Sequence, residues 1–239
     1  MTIRNKHGET IDHEFHDVAN VDDKLIILGH GLTGDKDRDF IVQLSKLLSI
    51  QGWPTIRFSY SGNGKSEGKF EDSTITKEVD DLLAVLDQVK GSRKLCYIGY
   101  SMGAAVGTIA AAKDDRFSVL VNLAGMVNTG AFYEEEFGAL TPGKDCMWED
   151  ETKPLSEAFA TDLKQIDCVV DAAKEHRIPW LMLHGSEDDV VLPKDSELLF
   201  NHVKGKKKHT VIKGTGHSFE GHYTELADHI NHWLSIHLK

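Results

Sequence analysis

Short runs of consecutive apolar residues alternate along this chain with stretches whose apolar positions recur at helical spacing. Unbroken apolar runs mark strands buried on both faces, and the helical period marks the segments that cover them. Residues 24–29 form the first strong run, which stops at His30 and Gly31. Phe40, Ile41, Leu44, Leu47 and Leu48 then follow helical spacing over 38–51, and 54–58 reads as the next strand. Gly62, Asn63 and Gly64 break the chain. Ile75, Val79, Leu82, Leu83, Leu86 and Val89 share one helical face over 75–90, with Gly91 placed to stop that helix. Residues 95–99 form a strand, an Ala- and Gly-rich helix over 102–113 begins directly at Ser101, and 117–123 is another strand.

The alternation then lapses. Residues 127–176 contain helix-like pieces interrupted by Thr141, Pro142 and Gly143 and by Lys153 and Pro154. Structureless loops of that length are uncommon, so this stretch is expected to be a helical insertion that covers something. The strand pattern resumes at 178–183, a helix is expected over 194–203, a strand over 209–212, and a last amphipathic helix over 220–238. Residues 2–18 are expected to form a hairpin that turns at Lys6, His7, Gly8 and Glu9. The pattern predicts an α/β protein with a mostly parallel sheet covered by helices on both faces. One domain over 1–239, with a lid or cap inserted at 127–176, accounts for all of it.

Composition narrows the partners more than the fold. The chain has 239 residues and a formal net charge of -11. That charge repels phosphate backbones and anionic membranes at long range, which argues against nucleic acid as a partner. The one basic cluster, Lys204, Lys206, Lys207 and Lys208, is expected in a solvated turn before a strand. No apolar run approaches a membrane span, and the polar start of the chain lacks a signal core. Cys96, Cys146 and Cys168 are odd in number and match no zinc or disulfide spacing. These features point to a cytoplasmic protein, and a homodimer remains open.

The chemistry is concentrated in three places. Gly99, Tyr100, Ser101, Met102 and Gly103 match G-x-S-x-G between a strand and a helix. The glycines remove side chains that would collide where the chain reverses, and the serine hydroxyl is held above the sheet edge. A serine hydroxyl needs a base to act as a nucleophile, and the base needs an orienting partner. Asp188, with Asp189 as the alternative, follows one strand end, and His217 sits in a Gly-rich loop after the last strand. Strand ends are where open α/β sheets bind ligands. The turn at His30, Gly31 and Leu32 would allow the amides of Leu32 and Met102 to hold an oxyanion. Within the insertion, Phe132, Tyr133, Phe137, Met147 and Trp148 either line a substrate pocket or form the insertion's own core. The acids Glu134, Glu135, Glu136, Glu149, Asp150 and Glu151 read as a solvated face; at the mouth of a site they would disfavour acidic substrates. His229 and His232 lack a third ligand for a metal, and Gly62 to Ser66 lacks the full phosphate-loop frame.

Taken with the run from Arg57 to Gly68 and the Gly216, His217, Ser218, Phe219 segment, these motifs resemble the α/β-hydrolase superfamily. More narrowly, they resemble small lidded esterases grouped with monoacylglycerol lipases, cinnamoyl or feruloyl esterases and serine aminopeptidases. The resemblance implies a carboxylesterase, with Ser101 as nucleophile, His217 as base, Asp188 as acid and Leu32 supplying an oxyanion amide. It implies a small-molecule ester substrate, neutral or carrying an aromatic or acyl group, and neither a cofactor nor a metal. The family often has an aspartate where this chain has Ser59, a change that bears on loop packing. A thioesterase, a peptidase, a lyase or oxygenase with the same triad, and a ligand-binding protein of the same fold are the competing readings.

Overall fold

The computed structural model describes residues 2–19, 21, 23–89, 93–174 and 176–239. The helix stop expected at Gly91 lies outside the described residues. Along the chain run β1 (Ile3–Arg4), β2 (Thr10–Ile11), β3 (His13–His16), β4 (Lys24–Gly29), α1 (Asp39–Ile50) and β5 (Thr55–Phe58). They are followed by α2 (Ile75–Gln88), β6 (Lys94–Tyr100), α3 (Met102–Lys113) and β7 (Phe117–Leu123). The insertion holds α4 (Thr129–Phe137), α5 (Glu157–Ile166) and α6 (Val170–Ala173). The chain closes with β8 (Trp180–Gly185), α7 (Pro193–His202), β9 (Lys207–Ile212) and α8 (Tyr223–His237).

The main sheet has the order β3-β5-β4-β6-β7-β8-β9. Every pairing in it is parallel except that of the edge strand β3 with β5. Alternate side chains of the inner strands serve two cores. Leu25, Ile27, Tyr97, Trp180 and Met182 face a layer that includes α2 and α3, whereas Ile26, Leu28, Ile98, Leu181 and Leu183 face α1 and α8. Both faces are covered, which is why these strands read as unbroken apolar runs. Among the described residues no helix is long and apolar enough to cross a membrane.

Three expectations are corrected at the edges of the sheet. The N-terminal hairpin is confined to β1 and β2, and the chain then enters the main sheet as β3, pairing His13 with Phe58 and His16 with Thr55. Strand β8 starts at Trp180 rather than 178 and runs on through Gly185. Strand β9 starts at Lys207, so part of the lysine cluster is strand rather than turn. Lys207 donates to the carbonyls of Phe200 and Val203 and so closes the end of α7. Lysine on an exposed edge also discourages pairing with a second sheet.

The insertion is fastened at both ends. The buried Asp195 of α7 accepts from the amides of Val127 and Asn128, and Val169 N–H donates to the Val127 carbonyl. Ser156 caps α5 through the Phe159 amide. Phe137 is the hub of the insertion, with Trp148 at 5.0 Å and Phe132, Tyr133 and Phe159 within 6.3 Å between ring centres.

Two local devices set up the edge where β4 and β6 end. Ser101 has φ 55 and ψ -120, a conformation that costs an L-residue on the order of 1–3 kcal/mol. Close packing holds it there. A Cβ on Gly99 would lie 2.4 Å from the Gly103 carbonyl oxygen, and one on Gly103 would lie 2.4 Å from that of His30. Tyr97 donates to the Gly103 carbonyl and shares a 2.6 Å hydrogen bond with Tyr60 beneath the turn. The second device is His30. Its Nδ1 donates to the Gly31 carbonyl at 2.8 Å and its Nε2 accepts from the Tyr60 amide at 3.1 Å, which defines a neutral ring and pins the loop after β4. Burial pushes its pKa down to about 4. Ser59, the departure from the family pattern, accepts from the Lys36 amide at 3.0 Å and so holds the same loop from the other side.

Gly103→Ala should therefore lower the stability to urea by about 3 kcal/mol, since the new methyl meets backbone rather than a mobile side chain; a variant as stable as wild type would contradict the contact. His30 supplies the pH test. Its folded pKa lies below the ordinary 6.5, so its contribution is complete above pH 6.5 and is lost as pH falls toward 4. The stability gap between wild type and His30→Asn, from urea midpoints, should narrow by about 3 kcal/mol over that window. A gap that is constant with pH would mean that folding leaves the His30 pKa at its ordinary value, and a gap that widens toward low pH would mean that the fold favours the charged ring.

Candidate active site

Ser101, Asp188 and His217 arrive from three separate strand ends. Ser101 stands between β6 and α3, Asp188 follows β8, and His217 follows β9. Their side chains form one hydrogen-bonded chain. His217 Nε2 lies 3.0 Å from Ser101 Oγ, and His217 Nδ1 lies 2.8 Å from Asp188 Oδ2. With Nδ1–H donating to the carboxylate, Nε2 is left to accept the serine proton. The ring of Tyr100 lies 5.0 Å from that of His217 and supports it from one side.

The two neighbouring acids differ in burial. Asp188 is 4% exposed and bonded to His217, whereas Asp189 is exposed. Burial alone would raise the Asp188 pKa. Hydrogen bonds from His184 and His217, the attraction of His217 and the Val191 amide outweigh it and hold the carboxyl well below the usual range. Oδ1 accepts from the amides of Val190 and Val191, both at 3.0 Å.

His184 is the residue that sequence reasoning missed. It is fully buried, and its Nε2 lies 3.0 Å from Asp188 Oδ2 and 2.7 Å from the Val191 carbonyl, while its Nδ1 lies 2.6 Å from Ser196 Oγ. A consistent network has Ser196 donating to Nδ1 and Nε2–H shared between the carboxylate and the carbonyl. Two imidazoles thus donate to the same carboxylate oxygen. The available signal was a histidine four residues before the acid, at the end of an apolar strand.

The turn after β4 presses against the serine: a Cβ on Gly31 would lie 2.9 Å from Ser101 Cβ. None of the described backbone hydrogen bonds uses the amides of Leu32 or Met102, the two groups expected to hold an oxyanion. A cavity of about 260 Å³ opens over Ser101 and His217. Its apolar lining comes from Leu32, Phe132, Trp148 and Val190, and its polar lining from Thr33, Arg38, Tyr100 and Ser218.

Of the five aromatic and Met residues expected at a pocket, Phe132 and Trp148 are there. Tyr133, Phe137 and Met147 are not. They are 1–2% exposed and packed in the core beneath the insertion, because α4 turns that face toward α5. Trp148 is 48% exposed with φ 49, and its Nε1 donates to Glu136. The insertion's acids do not line the cavity. A wider depression of about 680 Å³ at the far end of α3, beside Asp114, Arg116 and His176, contains none of the three chain members. No group of three or more His, Cys, Asp or Glu among the described residues is placed to hold a metal, and His229 lies beside Glu225. Cys96 is buried, Cys146 and Cys168 are half-buried, and all three are free.

Comparison with known proteins agrees with this fold. A family model described as alpha/beta hydrolase fold matches residues 24–155. Similar proteins include the lysophosphatidylserine lipase ABHD12 of Danio rerio, 29% identical over 181 residues, which cover 71% of this chain and 44% of that protein. The serine hydrolase BPHL of Homo sapiens is 22% identical over 234 residues, covering 86% of this chain and 78% of that one. The chain thus spans less than half the length of the ABHD12 relative. Among solved structures, Est1E from Butyrivibrio proteoclasticus with ferulic acid bound superposes with a TM-score of 0.87 at 25% identity, over 99% of this chain and 98% of that one. Mouse alpha/beta hydrolase domain-containing protein 10 has a TM-score of 0.82 at 17% identity over 99% and 98%, a likeness of fold alone. With its matched strands, turn and serine segment, the chain belongs to the α/β-hydrolase family, among relatives that include esterases and lipases.

Proposed function

We propose that this protein is a serine carboxylic ester hydrolase that works through an acyl-enzyme. The observation that carries the reading is the unbroken chain from Ser101 Oγ through His217 to the buried, charged Asp188. A carboxylate so held orients the imidazole and offsets the positive charge it gains. Ser101 Oγ attacks the ester carbonyl while its proton passes to His217 Nε2. The tetrahedral oxyanion is held by the amides of Leu32 and Met102, which have no backbone carbonyl to satisfy. The intermediate collapses, and the alcohol leaves with the proton from His217. Water then gives a proton to His217 and attacks the acyl carbon, and the acid departs as Ser101 regains its hydrogen. Each step needs only groups that this chain supplies.

His184 acts here as a positioning residue. By donating to Asp188 Oδ2 it shares the charge that His217 also uses, and so fixes the carboxylate without touching substrate. The insertion acts as a lid, with Phe132 and Trp148 excluding water above Ser101. A cavity of about 260 Å³ suits a short or medium acyl group or a single aromatic ring.

Ser101→Ala should lose at least roughly ten-thousand-fold in ester turnover and all labelling by a fluorophosphonate. The measurements are a p-nitrophenyl ester series from acetate to palmitate and mass spectrometry of the adduct. Wild-type rates in Ser101→Ala would sink the assignment. Asp188→Asn should cost roughly ten-thousand-fold in kcat, because it leaves His217 in the wrong tautomer, whereas Asp189→Asn should stay within about three-fold of wild type. The opposite ranking would move the acid to Asp189.

A further inference from the structure

Arg38 is the one permanently charged side chain that lines the cavity over Ser101. In sequence it sits among Asp35, Asp37 and Asp39, a setting that suggests a surface ion-pair cluster. The fold directs those acids elsewhere. Asp35 Oδ1 accepts from the Asp37 amide, Asp37 pairs with Lys36 and faces Arg57, and Asp39 Oδ1 accepts from Gln43. Among the described residues no hydrogen bond or ion pair engages the Arg38 guanidinium. Arg38 is the N-cap residue of α1 and its carbonyl accepts from the Val42 amide, but its side chain makes no capping bond, so the helix does not depend on the guanidinium.

The rest of the polar lining is equally suited to an anion. Thr33 and Ser218 line the same cavity, Ser218 Oγ lies 3.3 Å from Tyr100 OH, and Arg38 is near enough to Tyr100 to act on it electrostatically. Phe132 and Val190 lie on the β8 side, where they also border a second depression with Asn128 and Asp195. The cavity lining thus combines apolar side chains with the hydroxyl-bearing Thr33, Tyr100 and Ser218 and with one solvent-exposed, permanently charged side chain, Arg38. None of the insertion's acids lines this cavity, although Glu135 borders the adjoining depression and Glu136 accepts from Trp148 Nε1.

We propose that the cavity takes esters carrying an anionic group, a carboxylate, sulfonate or phosphate, which Arg38 holds with the Thr33 and Ser218 hydroxyls. This rests on the ester-hydrolase reading for the reaction, and it departs from the neutral ester expected from sequence. A fork of guanidinium donors pairs with two oxygens of such a group at once. At a net charge of -11 the protein repels anions at a distance, so selection for one must come from a local contact of this kind.

The test is a ratio. Two matched pairs are compared in wild type, Arg38→Gln and Arg38→Lys: 4-nitrophenyl hydrogen glutarate with 4-nitrophenyl pentanoate, and 4-sulfophenyl butyrate with phenyl butyrate. The anionic-to-neutral ratio of kcat/KM should fall roughly ten-fold or more in Arg38→Gln for at least one pair, mainly through KM, with part retained in Arg38→Lys. The first pair responds if the anion is on the acyl side, and the second if it is on the alcohol side. Ratios within about two-fold of wild type in both pairs would overturn the proposal, including the case where both members of a pair slow together. Calorimetric titration of Ser101→Ala with the anionic esters separates this from the reaction itself, and adding Arg38→Gln should weaken binding by a similar factor. Arg38-dependent binding without turnover of any ester by wild type would sink the hydrolase reading and keep the anion site. Turnover with ratios and binding indifferent to Arg38 would do the reverse.

Discussion

A carboxylate that is 4% exposed must have its charge met or give it up, and Asp188 keeps it. Much of the site's architecture follows from that requirement. One oxygen receives two imidazole donors and the other two backbone amides, so the group cannot rotate. The amides come from the loop that leads into α7, which fixes that loop. His184 comes from the end of β8, which ties the loop to the sheet. His217 is thereby left with one orientation, its free nitrogen toward Ser101. The buried charge is what fixes His217 in the loop after β9.

Convergence of the three groups follows from parallel strands. Their carboxyl ends share one edge, so residues 101, 188 and 217 meet although more than a hundred positions separate the first from the last. The insertion leaves the sheet between β7 and β8, next to this edge, and its anchoring on Asp195 keeps Phe132 over the cavity. The same anchoring sends the opposite face of α4 into the core, which is why neighbours in sequence such as Phe132 and Tyr133 have different surroundings.

The inner strands and their covering helices were legible because burial on both faces writes an unbroken apolar run, and so was the serine, acid, histidine order. Strand β3 was not: His13, Glu14, Phe15 and His16 carry almost no apolar signal, and the strand exists through its pairing with β5. The start of β9 was hidden by Lys207 and Lys208, which an edge strand tolerates and a period-based reading does not. For Tyr133, Phe137 and Met147 the sequence announced burial without saying against what. His184 and Arg38 are the sharper cases. One is a polar residue buried for the sake of a carboxylate four positions away. The other is a cation beside three acids whose guanidinium bonds to none of their side chains. Both depend on side-chain direction, which composition and spacing do not carry.

The strained backbone at Ser101 has a consequence for the serine itself. The turn is held by Gly99, Gly103 and the tyrosine pair beneath it, none of which depends on the serine hydroxyl. Replacing Ser101 by glycine would remove the hydroxyl and also relieve the positive φ. Chemistry is therefore the least anchored property of the molecule. Nothing in the packing of the turn requires the hydroxyl, and a glycine at 101 is compatible with the same turn and a less strained backbone.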